Sequence, residues 1–343
     1  MKRLRWIALL IIVLAGVFIF DPHHSLQKVI LPNTEVERNY LTNLPGSNSP
    51  VLVVKIDDTP PAHPQIGLDA ADVIYIEQVE GGLTRLAAIY TDRLPSRIEP
   101  IRSARISDID ILAQFGHVGF AFSGEQTKFR PVLDGANLEN LSAEKYPPSI
   151  YSRDLSRSEP TNMVLDPKKL LDLAMSSEHK SVVTLTAPMW HHGDVPAHGT
   201  PLLSAKVKWP ASSYTFEWSS EKKIWNVKYL DKPDLDENGK NLTTPNVIIQ
   251  KVTITTSEYH DKVGGVTPLS QTTGSGTGYL LRDGQTFPIT WKRPGPNSPT
   301  QWLLADGSPA NLADGQLWIA LTDSEPHFLK PATADVQSSQ TSK

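Results

Sequence analysis

Six consecutive residues, Val51-Leu52-Val53-Val54-Lys55-Ile56, hold a single polar side chain. Successive side chains of a strand point to opposite faces, so a strand that is apolar at nearly every position needs cover on both. The chain is thereby constrained to a layered fold with this strand inside. Two β-branched and aromatic runs follow, VIYIEQV at 73–79 and LTRLAAIYT at 83–91, joined by Glu80-Gly81-Gly82. Paired glycines between such runs signal a hairpin, because tight turns need positive φ. From Ser103, taken as N-cap, the pattern ARISDIDILAQF puts Ile106, Ile109, Ile111 or Leu112, and Phe115 at helical spacing. HVGFAFSG at 117–124 has the pattern of a further strand, and Asp166-Pro167 opens a short helix.

Beyond the Pro-, His- and Gly-rich stretch from Pro188 to Pro201 the pattern changes to strands and turns. Expected strands are SYTFEW (213–218), KIWNVKYL (223–230), NVIIQKVTITT (246–256), GTGYLLRDG (276–284), QTFPITWKR (285–293), QWLLA (301–305) and QLWIALT (316–322). Asn238-Gly239, Asp283-Gly284, Asp306-Gly307 and Asp314-Gly315 supply turns between them. The fold class expected is α+β: an N-terminal α/β-type domain with a mixed sheet, followed by a mostly antiparallel β domain lying beside it. Six of the eight tryptophans, Trp209, Trp218, Trp225, Trp291, Trp302 and Trp318, fall in the second part. They are expected in its core, with a sugar-stacking face as the alternative.

At the N-terminus Lys2, Arg3 and Arg5 precede an unbroken apolar run from Trp6 to Phe20. Fifteen helical residues reach roughly 22 Å, short of a ~30 Å hydrocarbon core. The small residues of a cleavage site are missing, because after Ala15 and Gly16 the run continues with Val17 to Phe20. A signal anchor over 1–21 is expected, with secretion after signal-peptide cleavage as the alternative. The basic residues stay cytoplasmic and the remainder is extracytoplasmic. The layout expected after the anchor is a Pro-rich stalk over 22–49, domains over 50–190 and 205–328 joined by a linker at 191–204, and an unfolded tail over 329–343.

Zero cysteines exclude disulfides, thiol nucleophiles and cysteine-borne lipid. Without the three leader cations, 30 of the 33 basic side chains face 37 acidic ones, a charge of −7. Such a balance argues against general nucleic-acid binding. Any basic pocket in this protein is a local exception.

The densest polar constellation lies in the N-terminal part. Asp57 and Asp58 end the first strand, Asp72 begins the second, and Glu77, Glu80, Thr84 and Arg85 flank the Gly-Gly turn. Arg102, Ser103 and Arg105, within IRSAR, stand at the expected helix start. Two arginines three apart on a first helical turn point the same way, and guanidinium forks match carboxylate or phosphate. These nine residues, Asp57, Asp58, Glu77, Glu80, Thr84, Arg85, Arg102, Ser103 and Arg105, form either an anion-binding pocket or a set of structural ion pairs between elements. Ser123 lacks the setting of a nucleophile elbow. His191, His192 and His198 could bind a metal, although a zinc site built from one short loop is unusual. No cofactor-binding fingerprint is present: G-S-G-T-G at 274–278 lacks the lysine and helix of a phosphate loop.

The stretches VVKIDDTPPAHPQIGLDAADVIYIEQVEGGLTRLAAIY, EPIRSARISDIDI and GHVGFAFSG resemble the YerB-like family of exported bacterial proteins of unknown function. NVIIQ, GSGTGYLLRDG, Trp291 to Arg293 and LADGQLWIAL resemble its C-terminal domain. The resemblance covers about residues 50–322. It implies two domains, a lipoprotein-like address outside the cytoplasmic membrane, commonly in Gram-positive bacteria, and Glu80, Arg85, Arg102 and Arg105 as family features. Family members often carry Asp-Asn where this chain has Asp57-Asp58, and here a protein anchor stands in for the lipid. The function expected is binding or scaffolding at the cell envelope, with an envelope component or membrane protein as partner. The alternative is an envelope enzyme that grips a phosphate- or pyrophosphate-containing, lipid-linked glycan through arginines and carboxylates.

Overall fold

The computed structural model describes residues 36–176 and 181–332. The leader, the anchor and the first part of the stalk lie outside the described residues, as does most of the tail. Among the described residues no helix is long and apolar enough to cross a membrane.

In chain order, β1 (Leu52–Asp57), β2 (Val73–Gln78) and β3 (Thr84–Tyr90) precede helix α1 (Ile106–Ala113) and β4 (Val118–Ala121). Helix α2 (Arg130–Asp134), β5 (Leu138–Asn140), β6 (Tyr151–Arg153), β7 (Met163–Leu165) and helix α3 (Pro167–Met175) follow. Next come β8 (Thr200–Pro201), β9 (Ser204–Trp209), β10 (Ser212–Ser219), β11 (Ile224–Tyr229), β12 (Lys232–Pro233) and β13 (Thr243–Thr244). The chain closes with β14 (Asn246–Lys251), β15 (Thr253–His260), β16 (Val266–Gln271), β17 (Gly274–Arg282), β18 (Gln285–Arg293), β19 (Gln301–Leu303), β20 (Leu317–Thr322) and β21 (His327–Leu329).

One sheet carries strands from both parts, in the order β19-β18-β17-β14-β20-β2-β3-β1-β4-β5, with β8 added on β18. Its joint is β20, which runs parallel to β2 on one side and to β14 on the other. The C-terminal strands therefore extend the N-terminal sheet, where the sequence suggested a separate β domain beside it. Every residue of β1, β3 and β20 is buried, because this sheet is covered on both faces. On one face Leu52, Val54, Ile56, Ile74, Leu86 and Trp318 meet Trp209, Tyr214, Phe216 and Trp225 of the second, antiparallel sheet (β12-β11-β10-β9-β21, with β13), together with Leu170 of α3. On the other, Val53, Val73, Tyr75, Ala87 and Ile319 meet Ile111 and Leu112 of α1 and the Trp190 and Trp302 rings. The described chain is mostly strand with few helices.

Five of the six C-terminal tryptophans are buried and Trp218 packs against the core, so they form no sugar platform. Truncating a side chain such as Trp318 costs about 3–5 kcal/mol. The described part of the stalk also packs: Leu41 is fully buried, and Asn39 donates to Ser47 O and Thr91 Oγ1. Within the segment taken as a linker, Leu312 N donates to His191 O, Thr200–Pro201 pairs with β18, and Leu202 is buried. Proline and glycine there mark turns over a packed surface.

Candidate functional site

Alternation along a strand decides the fate of the acidic pair. Asp57 ends β1 on the face of Val53 and Lys55, whereas Asp58, one residue on, turns to the opposite face. Adjacent in sequence, the two carboxylates serve separate networks.

Asp58 is fully buried and fully engaged. Tyr214 Oη (2.6 Å) and Gln65 Nε2 (3.0 Å) donate to its Oδ1, Thr84 Oγ1 donates to its Oδ2 at 2.5 Å, and Tyr229 Oη donates to its backbone carbonyl. His63 Nε2 lies 3.2 Å from Asp58 Oδ1, while Nδ1 lies 2.8 Å from Asp234 Oδ1. The His63 ring also stacks on Tyr229 at 4.0 Å. Burial alone lowers an imidazole pKa, but the bonds to Asp234 and Asp58 overcome it and raise His63 to about 9. An imidazolium between two carboxylates thus pins the loop after β1 to the second sheet. His63 carries no local sequence signal, sitting between Ala62 and Pro64, and its partner Asp234 lies 171 residues away.

On the other face lies a second network. Lys55 Nζ, wholly buried at the middle of a strand, contacts Glu77 and lies 2.7 Å from Asp108 Oδ1. Asp108 Oδ2 also accepts from Arg105 N at 2.6 Å, which closes the first turn of α1. Desolvation first, then the nearby Asp108, raises the pKa of Glu77, while Lys55 opposes both. Arg102 is not on α1. It precedes the helix, with Nε 2.8 Å from Asp57 Oδ2 in a charge contact too poorly angled for a hydrogen bond. The N-cap is Arg105 and not Ser103, whose carbonyl accepts from Arg85 Nη1 at 3.1 Å. Arg105 Nε reaches Glu80 at 2.8–2.9 Å, and Thr267 Oγ1 and Gln126 Nε2 also donate to Glu80 Oε1.

Arg85 differs from its neighbours. Cross-strand register sets it between Asp57 of β1 and Glu77 of β2, yet Arg102 and Lys55 hold those carboxylates. Among the described residues its side chain makes one hydrogen bond, to Ser103 O, and no carboxylate lies within ion-pair distance. Burial, together with the Arg105 and Arg102 charges, pushes its pKa down to about 9, which still leaves a cation at neutral pH.

Arg85 lines a cleft of about 750 Å³. Of the nine residues singled out from sequence, Glu80, Thr84, Arg85, Arg102, Ser103 and Arg105 line it; Asp57, Asp58 and Glu77 do not. Lys128 and Lys262, which the sequence did not mark, line it as well. The far wall comes from the β15–β16 hairpin, whose Thr267 bonds Glu80 and whose Ser270 N donates to Ser107 Oγ on α1. Gly81 and Gly82, with φ of 69° and 72°, turn the chain tightly enough at β2–β3 to bring Glu80 and Arg85 to one end of the sheet. As for the histidines, among the described residues no three ligand-type side chains come together as a metal site, so His191, His192 and His198 do not form one.

Residues 41–181 match a family described as “Protein of unknown function (DUF3048) N-terminal domain”, and residues 205–319 match its C-terminal domain. A relative named “Putative lipoprotein YerB”, from Bacillus subtilis (strain 168), is 43% identical over 56 residues, which span 16% of this chain and 17% of that protein. The crystal structure of the YerB protein from Bacillus subtilis shares the fold with a TM-score of 0.73 and 18% identity, over 86% of this chain and 100% of that one. With both domains matched in order and the fold shared, the chain belongs to the YerB-like family of two-domain proteins of unknown function.

Proposed function

We propose that this protein is an extracytoplasmic binding protein that holds an anionic group of a cell-envelope component in the Arg85 cleft. One observation carries the reading: Arg85 is a buried cation that opens on a cleft and has no carboxylate of its own. Asp57, Glu80 and Glu77 act on Arg85 only from beyond contact distance, and a buried cation so weakly paired is best completed by an anion supplied from outside. The carboxylates that an enzyme would need as base or metal ligand are engaged: Asp57 faces Arg102, and Glu80 is held by Arg105, Thr267 and Gln126. This favours binding over bond-breaking at this site. The basic leader, the apolar run after it and the lipoprotein name of the relative support a membrane-attached position outside the cytoplasm, anchored by residues 1–21.

Thermal unfolding of the purified full chain in increasing inorganic phosphate tests this. Phosphate is expected to raise the midpoint of wild type and leave that of Arg85→Met unmoved. Equal shifts in both proteins would remove Arg85 as the anchor.

A further inference from the structure

The cleft has two cationic positions, built by different parts of the chain. Arg85 lies at its inner end, on β3. Lys128, just before α2, and Lys262, at the tip of the β15–β16 hairpin, are exposed, and among the described residues neither has a carboxylate partner. The acidic groups near them are turned to other partners, although Asp261 keeps its charge. Glu125 pairs with Arg130 at 2.5 Å, and Asp261 Oδ1 accepts from Val263 N (3.0 Å) and Gly265 N (2.7 Å) of its own turn. Behind the inner wall Lys55 is shared by Glu77 and Asp108, and Asp57 faces Arg102, so those charges are internally matched apart from Arg85 and the second carboxylate on Lys55. Among the described residues, the cations lining the cleft with no carboxylate in contact are therefore Arg85 at the inner end and Lys128 and Lys262 at the mouth.

We infer that the ligand presents two phosphoryl groups in tandem, a diphosphate, with the inner group on Arg85 and the outer one between Lys128 and Lys262. This rests on the anion-binding reading above and adds to it a substrate class and two specificity residues. A single carboxylate or monophosphate would fill the inner position and leave the two lysines unused. Phosphoryl oxygens suit the site because each group accepts several charge-assisted hydrogen bonds, from a guanidinium fork or from ammonium groups. The hairpin is held in place for this role: Thr267 bonds Glu80 and accepts from Gln126 Nε2 at 2.7 Å, so Lys262 extends from a wall tied to the same elements as Arg105.

Calorimetric titration of the full chain with pyrophosphate, phosphate and acetate, at one ionic strength, tests the inference. Pyrophosphate is expected to bind wild type at least tenfold more tightly than phosphate. In Lys128→Ala/Lys262→Ala that preference should shrink to within about twofold while phosphate binding persists. The doubly substituted protein should fold normally, since both side chains are exposed. Flotation with vesicles carrying farnesyl diphosphate distinguishes the source: capture by these vesicles, competed by pyrophosphate, marks a lipid-borne ligand, and binding of soluble pyrophosphate alone marks a free one. Equal affinity for phosphate and pyrophosphate, or a preference that survives removal of both lysines, would overturn the diphosphate assignment and leave the anion site standing. Failure of all three anions to bind would overturn both.

Discussion

Replacing His63 by Gln removes the imidazolium between Asp58 and Asp234, and the cost should depend on pH in a defined way. In the folded protein His63 titrates at about 9, against 6.5 for a free imidazole. A pKa raised by folding contributes stability that is complete below the unfolded value and is lost as pH rises through the folded one. The difference corresponds to about 3 kcal/mol at pH 6, falling to about half at pH 8 and close to zero at pH 10. Only 15% of the His63 side chain is accessible, so solvent screening takes little from this figure. Urea unfolding of wild type and His63→Gln at pH 6, 8 and 10 measures it. The wild-type advantage should narrow by about 3 kcal/mol across the series, and any advantage left at pH 10 is the part owed to stacking on Tyr229. Subtracting the variant removes the other groups that titrate at alkaline pH. An advantage that stays constant from pH 6 to 10 would refute a charged His63 in the folded protein.

Other outcomes follow from the same structure. Desolvation lifts buried Asp72 to about 6 although Thr91 donates to it twice, so its ionisation costs stability progressively as pH rises from about 4 to about 6 and in full above that; Asp72→Asn should be more stable than wild type at pH 8, by up to about 3 kcal/mol, with the gain vanishing below pH 4. A Cβ on Gly82 would sit 2.4 Å from Pro210 Cβ, whereas one on Gly81 meets nothing within 4 Å. Both have positive φ, so Gly81→Ala should cost about 1 kcal/mol and Gly82→Ala about 3 kcal/mol or more in thermal denaturation.

Strands with a strong period and a glycine turn were legible in the sequence: β1, the β2–β3 hairpin across Glu80-Gly81-Gly82, and the β17–β18 hairpin across Asp283-Gly284. Sheet membership was not. QLWIALT has the pattern of any buried strand, and nothing local says that it pairs with Val73–Ile76 about 240 residues earlier. NVIIQKVTITT is one β-rich run, but the structure divides it at Val252 between two sheets, because residue preference alone does not mark where pairing partners change. Two thirds of the candidate residues reach the cleft because they flank one turn and one helix start. Asp57 and Asp58 are adjacent in sequence, yet the two-residue period of a strand sends neighbours to opposite faces. His63 and Lys55 carry no local signal because their partners are distant in sequence, and Lys128 and Lys262 carry none because the fold alone brings their loops to one cleft.

The central claim is that the cleft receives an anion on Arg85. Crystals of the protein soaked in selenate, with anomalous data collected at the selenium edge, test it most directly. A peak within hydrogen-bonding distance of the Arg85 guanidinium, absent from Arg85→Met crystals, is the result predicted here. Selenate bound only at other surface lysines and arginines, with the Arg85 guanidinium unoccupied, would contradict the claim.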